Sequence, residues 1–555
     1  MKRSEVALLG FVFLFSLCIH LFPLTQYLIW GSDTGEYYFL TKRLVEQGHI
    51  ITEYEGWGFG YPYFQGMFLL SGAFTLATGC SLFDTVRILT PVIASLGAVF
   101  VFLIGRKIFS KTGAGTLGAV FISISMPYIF PTSHPMPGAI GDLLLLFIFL
   151  TFLKTRDDKK FYGIAFLTLP AIAITHHLSA FLLFLALLCS IFLMHQYLRN
   201  QRTYLKLDVG LLLWAYLIFI YFWVFAGGSF SEMIVKVAFH GLEPEYVVLA
   251  GIAIFPLLYF FLHKKFLGKI FSYKGKFLSA RSAELRYAVC LGIILLIVVL
   301  LIFVNVPGTN ISLTPHIILL FLPIMLLYSF AIVGTKLADS FPLGITLFGF
   351  LAGVSLSLLA GVFISPEVLI PYRHSEYLLL PLAICAGAGA IYFYRILGEA
   401  RKFFALFVFT ICLLTIPSVY PQKSIMAGFQ EGTNSSEFES VLWTQFSPGV
   451  YASDHRMSSM LFGFGGMYAT WDTTPNTFFS SDLNLTLDEL AHAKAPHNER
   501  SVNYVLLTED MKNGCAMSPL EPAKPIPSEV EEKFSNAPFV KVYDNGMVQI
   551  YKTGI

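Results

Sequence analysis

Charged residues and cysteines are scarce in this chain. Asp, Glu, Lys and Arg make up 13% of its 555 residues, against about a quarter in an average soluble domain. Its seven cysteines show no zinc-ligand spacing and fall mostly inside apolar runs, so the sequence predicts neither a structural zinc nor a disulfide framework. We find no repeat at half the chain length, which argues against the transporters that are built from two related halves.

Apolar residues are abundant instead, at 56% of the chain with 55 Phe. Apolar runs long enough to cross about 30 Å of hydrocarbon as a helix recur from the N-terminus to about Tyr420. The sequence therefore predicts an α-helical polytopic membrane protein with about thirteen transmembrane helices. The predicted spans are 6–29, 86–105, 114–131, 138–153, 161–175, 178–194, 209–226, 246–262, 287–304, 315–333, 341–361, 376–394 and 402–419. The short run 64–78 is either a further span or a helix in the interface.

Loop charge predicts the orientation of these spans. If the run 64–78 does not cross, most of the 37 Lys and Arg lie in loops on the side of the N-terminus, which predicts that this side is cytoplasmic. The opposite short loops carry only Lys42, Arg43, Arg87, Lys236 and Arg373. We expect a multi-pass protein of the plasma or cytoplasmic membrane, with a cytoplasmic N-terminus.

The chain beyond the last predicted span has a different composition. We expect residues 1–420 to form the transmembrane region and residues 421–555 a small exterior α/β domain. A helix is predicted near 435–445, a strand at 501–508, and a closing hairpin at Asp544-Asn545-Gly546, because Asn-Gly is a two-residue turn signal.

Two carboxylates follow the first span in the motif GSDTGEYY, residues 31–38. Asp33 and Glu36 would share a helix face if the chain is helical from Thr34 onward. Asp33 is then either a catalytic carboxylate at the membrane surface or the N-cap of that helix.

Further polar and aromatic residues fall at the same exterior level. Intramembrane polar groups are costly unless they face a cavity or each other, so their repetition at one level predicts a shared site. We take the following as candidate substrate-binding residues: Trp57, Tyr61, His134, Asp142, His176, His177, Arg373 and His374. Four of them have a simpler alternative: Trp57 and Tyr61 as an interfacial belt, His134 as a solvated loop residue, and Arg373 in a salt bridge to Glu376.

These residue types suit transfer of a sugar from a lipid phosphate. The reaction needs a base to take the proton of the acceptor, which a carboxylate can supply, and a cation to hold the departing phosphate, which Arg does with two hydrogen bonds. Asp33 and Arg373 are the predicted pair.

In its arrangement the chain resembles the GT-C superfamily of glycosyltransferases. The resemblance lies in the acidic residue after the first span, the Tyr61-Pro62-Tyr63 segment before a juxtamembrane helix, the SLFDTVRILTPV entry to the second span, and the late loop with Arg373. It implies an inverting hexosyl- or pentosyltransferase with a polyprenyl-phosphate sugar donor, a glycan, lipid or protein acceptor, and no nucleic acid. It also implies that Asp33 is the general base, while Glu36, on the same predicted helix face, is the fallback base, a helper or a bystander.

The chain is more distantly similar to the catalytic subunits of oligosaccharyltransferases. HPMPGAIGD resembles their second acidic motif, with Asp142 in the acidic position, but ATWDTTP lacks the double Trp and the Tyr-Gly of WWDYG. That similarity implies a divalent metal on Asp33 and Asp142, whereas many GT-C enzymes need none, so no cofactor is required by the sequence. Block transfer of a glycan to protein, and transport of lipid-linked sugars by a flippase, stay open as alternatives.

Overall fold

The computed structural model describes residues 2–198, 201–222, 244–264, 280–300, 302–305, 314–363, 369–422, 430–518 and 522–555. The end of the predicted span 209–226, residue 301 of the predicted span 287–304, and residues 365–368 of the loop before Arg373 lie outside these ranges.

Helices dominate the chain up to Ser418. Their bounds are Arg3–Leu21, Thr34–Gln47, Gly66–Thr78, Leu82–Ala94, Leu96–Phe109, Thr112–Ser123, Met126–Thr132, Pro137–Lys154, Phe161–Thr175, His177–Tyr197, Leu205–Ile220, Pro244–Lys264, Ala280–Leu300, Pro315–Tyr328, Ala331–Ala338, Ile345–Phe363, His374–Ile396 and Arg401–Thr415.

Nine helical segments of the described chain are long and apolar enough to cross a membrane, and Thr112–Ser123 with Met126–Thr132 forms a tenth that bends by 65°. The polytopic helical class is therefore confirmed, and the chain is an integral membrane protein. The count of about thirteen stays a prediction, since some predicted spans coincide with shorter helices such as Phe161–Thr175.

The run 64–78 forms the helix Gly66–Thr78, which has 13 residues. At 1.5 Å per residue it is about 20 Å long, too short to cross about 30 Å of hydrocarbon. Its Gly72 lies against the Leu44 side chain of the helix Thr34–Gln47. It therefore packs on the helix Thr34–Gln47 and is too short to count among the spans.

Small residues bring the membrane helices close together. Gly387 of His374–Ile396 and Gly118 of Thr112–Ser123 lie so near each other that a Cβ at position 387 would meet the Gly118 backbone. Backbone approach of this kind replaces the hydrophobic effect as the source of packing energy inside lipid. This close packing sets the position of the helix His374–Ile396, which also carries Tyr377.

The chain after residue 430 builds a five-stranded mixed sheet with short helices. Its strands are β3 (Val450–Ala452), β4 (Tyr468–Ala469), β7 (Tyr504–Thr508), β8 (Val540–Asp544) and β9 (Val548–Lys552), in the order β4-β3-β7-β9-β8. β3 is parallel to β4 and β7, and β9 is antiparallel to β7 and β8. The small strands β5 (Ala493–Lys494) and β6 (Glu499–Arg500) form a separate pair. The helices are Ser435–Trp443, His455–Met460, Pro475–Phe479, Leu483–Ala491, Glu509–Gly514 and Ser528–Lys533.

These elements include the predicted ones. The hairpin between β8 and β9 turns at Gly546. Its φ is 85°, a value that glycine adopts without steric cost. The predicted strand 501–508 corresponds to β7, and the predicted helix 435–445 to Ser435–Trp443. The domain boundary at residue 421 stays a prediction.

The first exterior loop is part of the C-terminal structure as well. β1 (Ile29–Trp30) pairs antiparallel with β2 (Gly432–Thr433), and Ile29 is buried among C-terminal residues such as Tyr451 and Leu506. The residues just before Asp33 are therefore held by a segment that lies 400 positions later in the chain.

Candidate active site

The turn before Asp33 is fixed by backbone contacts to the C-terminal region. The Gly31 amide donates to the carbonyl of Glu431 at 3.0 Å, and the Ser32 amide donates to the Glu431 carboxylate at 2.5 Å. Gly31 has a φ of 115°, a conformation that side chains disfavour, and a Cβ there would meet His134. The turn thus places Asp33 at the start of the helix Thr34–Gln47.

Asp33 does not use its side chain to cap that helix. It stands at the N-cap position, but its carboxylate makes no capping hydrogen bond. Oδ1 instead accepts a hydrogen bond from His455 Nε2 at 2.9 Å, and Oδ2 has only a long contact of 3.4 Å with the Tyr37 hydroxyl. The capping alternative therefore does not explain this residue.

The surroundings of Asp33 keep it ionised. Burial by itself would raise the pKa of its carboxyl group, but the hydrogen bond and charge of His455 outweigh burial, with help from His134, so the pKa lies below its ordinary value. The Asp33 side chain keeps 25% of its surface exposed. It is thus an accessible carboxylate in a largely enclosed setting.

His455 comes from the C-terminal region, 422 positions away from Asp33. It opens the helix His455–Met460, which Asp454 caps by accepting from the Met457 amide at 2.9 Å. Its own amide donates to the Ala516 carbonyl at 3.0 Å, and the Trp57 ring stands edge-on to its imidazole at a centroid distance of 4.7 Å.

Sequence analysis missed His455. The only local signal is an Asp-His-Arg run at the start of a short helix after a strand, and that pattern does not reveal a partner in the first loop.

Glu36 lies one turn after Asp33 and is fully buried. Oε1 accepts hydrogen bonds from the Tyr54 hydroxyl and, at 2.8 Å, from the Gly58 amide. Its backbone amide donates to the Ser459 hydroxyl at 3.1 Å. Burial, together with the nearby charge of Asp33, raises the pKa of Glu36 to about 7. Glu36 thus ties the loop around Gly58 to its helix and presents no surface to a substrate.

Trp57, Tyr61 and His134 surround this carboxylate pair. The Tyr61 hydroxyl lies 3.1 Å from that of Tyr37, while Trp57 contacts His455 as described. His134 is mostly buried, and its Nδ1 has no hydrogen-bond partner among the described residues. We call Asp33, Glu36, Trp57, Tyr61, His134 and His455 the exterior cluster.

Asp142 belongs to a second cluster inside the bundle. It is fully buried on Pro137–Lys154, where Oδ1 accepts from the Ser179 hydroxyl at 3.1 Å. The Ser179 hydroxyl is also 2.8 Å from the Tyr377 hydroxyl and 2.7 Å from His176 Nδ1. Asp142 Oδ2 has no hydrogen-bond partner in the described part of the chain. We call Asp142, His176, Ser179 and Tyr377 the bundle cluster.

Arg373 lies between the two clusters, at the start of His374–Ile396. Arg373 is an exposed residue. Its charge interacts with Tyr61 of the exterior cluster and with His176 of the bundle cluster, and also with His177 and Glu376. Across the described ranges, no ion pair joins Arg373 to Glu376. The Arg373 side chain hydrogen-bonds to Tyr372 and forms no salt bridge with a described carboxylate.

The two remaining candidate histidines have packing contacts. His374 is buried, and its Nε2 lies 2.7 Å from the Ser357 hydroxyl while its Nδ1 lies 3.2 Å from the Ile370 carbonyl. The ring of His177 packs against those of Phe64 and His176, each at a centroid distance of 5.1 Å. His374 thus points into the bundle and is a structural residue by its contacts.

The carboxylates do not assemble a metal site in the part of the chain that the structure describes. No three His, Cys, Asp or Glu side chains there come close enough to hold an ion together. Asp33 meets His455 and Asp142 meets Ser179, so the two acidic motifs contact different partners. The residues present do not fit a metal shared between Asp33 and Asp142.

Comparison with known proteins gives the fold. No family model and no curated protein sequence matches the chain. Among solved structures, the archaeal oligosaccharyltransferase AglB from Archaeoglobus fulgidus, in complex with an inhibitory peptide and a dolichol-phosphate, matches with a TM-score of 0.57 at 12% identity, over 92% of this chain and 70% of that one. The same enzyme in complex with Zn and sulfate matches with a TM-score of 0.58 at 13% identity, over 91% and 68%.

ArnT from Cupriavidus metallidurans, bound to undecaprenyl phosphate, is matched over 100% of this chain and 98% of that one at 12% identity, with a TM-score of 0.39. The predicted GT-C fold is thus confirmed by the AglB structures. The roles of individual residues are a separate question.

Proposed function

We propose that this protein is a glycosyltransferase that moves a sugar from a polyprenyl-phosphate donor to an acceptor at the exterior face of the membrane. The observation that carries the proposal is the state of Asp33 in a GT-C fold. A quarter of its side-chain surface is exposed, its carboxylate makes no capping hydrogen bond, and His455 keeps it ionised. The AglB structure in complex with a dolichol-phosphate supports the donor class.

Asp33 acts as the general base through Oδ2, the oxygen that His455 does not hold. Oδ2 takes the proton of the acceptor while the acceptor atom forms a bond to the anomeric carbon of the sugar. The bond from that carbon to the phosphate oxygen breaks, and its electron pair stays on the polyprenyl phosphate. Glu36 cannot replace Asp33 in this step, because it has no exposed surface.

Arg373 holds the departing phosphate. Arg373 is an exposed residue that hydrogen-bonds to Tyr372 and forms no salt bridge in the described ranges, so the remaining N–H donors of its guanidinium can bind phosphate oxygens. Its neighbours Tyr61 and His176 connect it to both clusters. This arrangement neutralises the charge that develops on the leaving group, where stabilisation raises the rate most.

Transfer of a glycan to protein is the second candidate, favoured by the extent of the match to AglB. In this chain, Trp471 of ATWDTTP is fully buried and packs against Phe462, so it cannot touch a peptide, whereas Asp472 is exposed. An acceptor peptide would therefore be bound without a contact to Trp471.

Asp33→Asn tests the proposal, because it removes the base without changing the shape of the side chain. The purified full chain in liposomes would be given radiolabelled dolichyl- and undecaprenyl-phosphate hexoses and pentoses. Release of polyprenyl phosphate and transfer of label to glycan, glycolipid and Asn-x-Thr peptide would be measured. General-base catalysis contributes about 10²- to 10⁴-fold, so we expect a loss of that size in Asp33→Asn with donor binding kept.

Asp84→Asn is the matched control. Asp84 is an exposed first-turn residue of Leu82–Ala94, near the same face but paired with Ser81 and Arg87. Its variant should keep full activity. Retained transfer by Asp33→Asn would remove Asp33 as the base, and a wild-type chain that turns over none of the donors would overturn the donor class.

A further inference from the structure

We propose that His455 is a positioning residue for Asp33, so that the C-terminal region completes the catalytic site instead of only covering it. This inference deepens the proposed function and rests on Asp33 acting as the base. It assigns to the C-terminal region a part in the chemistry itself.

The contacts of His455 hold its ring in one place. The ring is enclosed, with 2% of its side-chain surface exposed. The bond from its amide to Ala516, the capped helix that follows it, and the edge-on Trp57 ring fix both ends of the residue. A side chain restrained in this way can orient a partner at little entropic cost, since it has no alternative rotamers to lose.

The contact selects one oxygen of Asp33 for the reaction. His455 Nε2 binds Oδ1 at 2.9 Å, so the carboxylate plane is set and Oδ2 is left to accept a proton. Loss of the imidazole would free the carboxylate to rotate and to cap its own helix, which begins at the next residue. Geometry that is wrong by about 1 Å costs about 100-fold in rate.

The charges around His455 favour the imidazolium. The facing groups are Asp33 and Glu36 from the first loop and its helix, and Asp454 and Asp472 from the C-terminal region, while the charge of His134 acts on Asp33. Burial by itself would lower the pKa of His455, but the hydrogen bond to Asp33 and these carboxylates raise it above its ordinary value.

The pair is therefore charged over a wide pH range. Because the pKa of Asp33 is lowered and that of His455 is raised, both groups are ionised from below the ordinary pKa of Asp to above the ordinary pKa of His. The mutual stabilisation is lost when the pH falls through the lowered pKa of Asp33 or rises through the raised pKa of His455. A His that served only to pack the interface would leave no such mark on the catalytic pH profile.

The test compares pH–rate profiles of His455→Gln, His455→Ala and the wild-type full chain in liposomes. Release of polyprenyl phosphate from radiolabelled dolichyl-phosphate mannose and undecaprenyl-phosphate arabinose would be followed from about pH 4 to about pH 9. We expect the acid limb of kcat to move up by at least about one pH unit in both variants, because Asp33 loses the opposite charge that lowers its pKa. His455→Gln keeps an N–H donor, so its kcat should fall less than that of His455→Ala, with the donor KM little changed in both.

The chain offers a matched control in His492. This residue forms the same kind of pair, with Glu499 at 2.6 Å, but both side chains are 66% exposed. His492→Gln should leave kcat and the acid limb unchanged.

A folded His455→Gln protein whose acid limb stays at the wild-type position would overturn the inference, even if its kcat were lower. That result is distinct from failure of the proposed function, which would show as activity in Asp33→Asn. Where His455→Ala yields too little folded protein, the comparison of His455→Gln with wild type decides alone.

Discussion

The exterior cluster and the bundle cluster each contain a carboxylate, but the two carboxylates are held in opposite ways. Asp33 has an ionisable partner, His455, and one oxygen without a strong bond, and it keeps a quarter of its side-chain surface exposed. Asp142 is fully buried and has a neutral partner, the Ser179 hydroxyl.

Under the proposed function, this difference assigns the reacting role to Asp33 and a supporting role to Asp142. A base must be ionised and must reach the proton that it takes. Asp33 meets both conditions through a residue from the C-terminal region. Asp142 sits behind Ser179, where it orients the hydroxyl that also lies beside Tyr377 and His176. The level of a carboxylate in the membrane therefore does not reveal its role.

Gly463→Ala should break the exterior cluster most severely after Asp33→Asn. A Cβ at Gly463 would clash with the carbonyl of Gly35, in the first turn of the helix that follows Asp33, and so push the C-terminal region away from it. Separation of His455 from Asp33 by about 1 Å is expected to lower kcat about 100-fold. Turnover of dolichyl-phosphate mannose and undecaprenyl-phosphate arabinose measures this effect.

Gly163→Ala is the control for that variant, because an added Cβ at Gly163 meets nothing within 4 Å. It should match the wild type. A Gly463→Ala protein with wild-type kcat would mean that the two regions tolerate separation.

Arg373→Ala should affect the link between the clusters. A hydrogen bond to a charged group contributes about 1.5 to 3 kcal/mol, so the loss is expected to be about 10- to 100-fold in kcat/KM, with a higher KM for the polyprenyl-phosphate donor. Lys42→Ala serves as a control, because Lys42 is an exposed cation of the same exterior loops, paired with Glu46 at 3.9 Å. An unchanged KM and kcat for Arg373→Ala would exclude the phosphate role.

Asp142→Asn should have the smallest effect. The amide keeps an oxygen that can accept from Ser179, and the residue is fully buried, so we expect kcat to fall by less than about 10-fold. The decisive measurement is the ratio of this loss to that of Asp33→Asn in the same assay. Equal losses would show that the two carboxylates act as one site.

Much of the fold followed from composition and periodicity. Apolar runs predicted the helices of the membrane region, and Asn545-Gly546 predicted the hairpin between β8 and β9, because both signals are local. Composition alone does not give the number of spans, since helices such as Gly66–Thr78 are apolar but short. Hydropathy shows that a run is apolar, whereas packing determines whether that run crosses the bilayer.

The candidate site could be predicted only in part. Asp33 and Arg373 were visible because a carboxylate after the first span and a cation in a sparsely charged exterior loop are unusual in this sequence. His374 was included for its position beside Arg373, but a neighbour on a helix points elsewhere, and its ring turns to Ser357. The spacing of three residues from Asp33 indicates Glu36 as a substitute base. That spacing does not reveal its burial under Tyr54 and Gly58.

The sequence by itself determined that this is a helical membrane protein and that Asp33 lies where its first span ends, because hydropathy and helix length are properties of short segments. Only the tertiary structure decided that Asp33 faces His455 and that Glu36 is closed off. Those facts depend on where a strand at residues 29–30 meets a strand at residues 432–433, and no local preference encodes a contact across that distance.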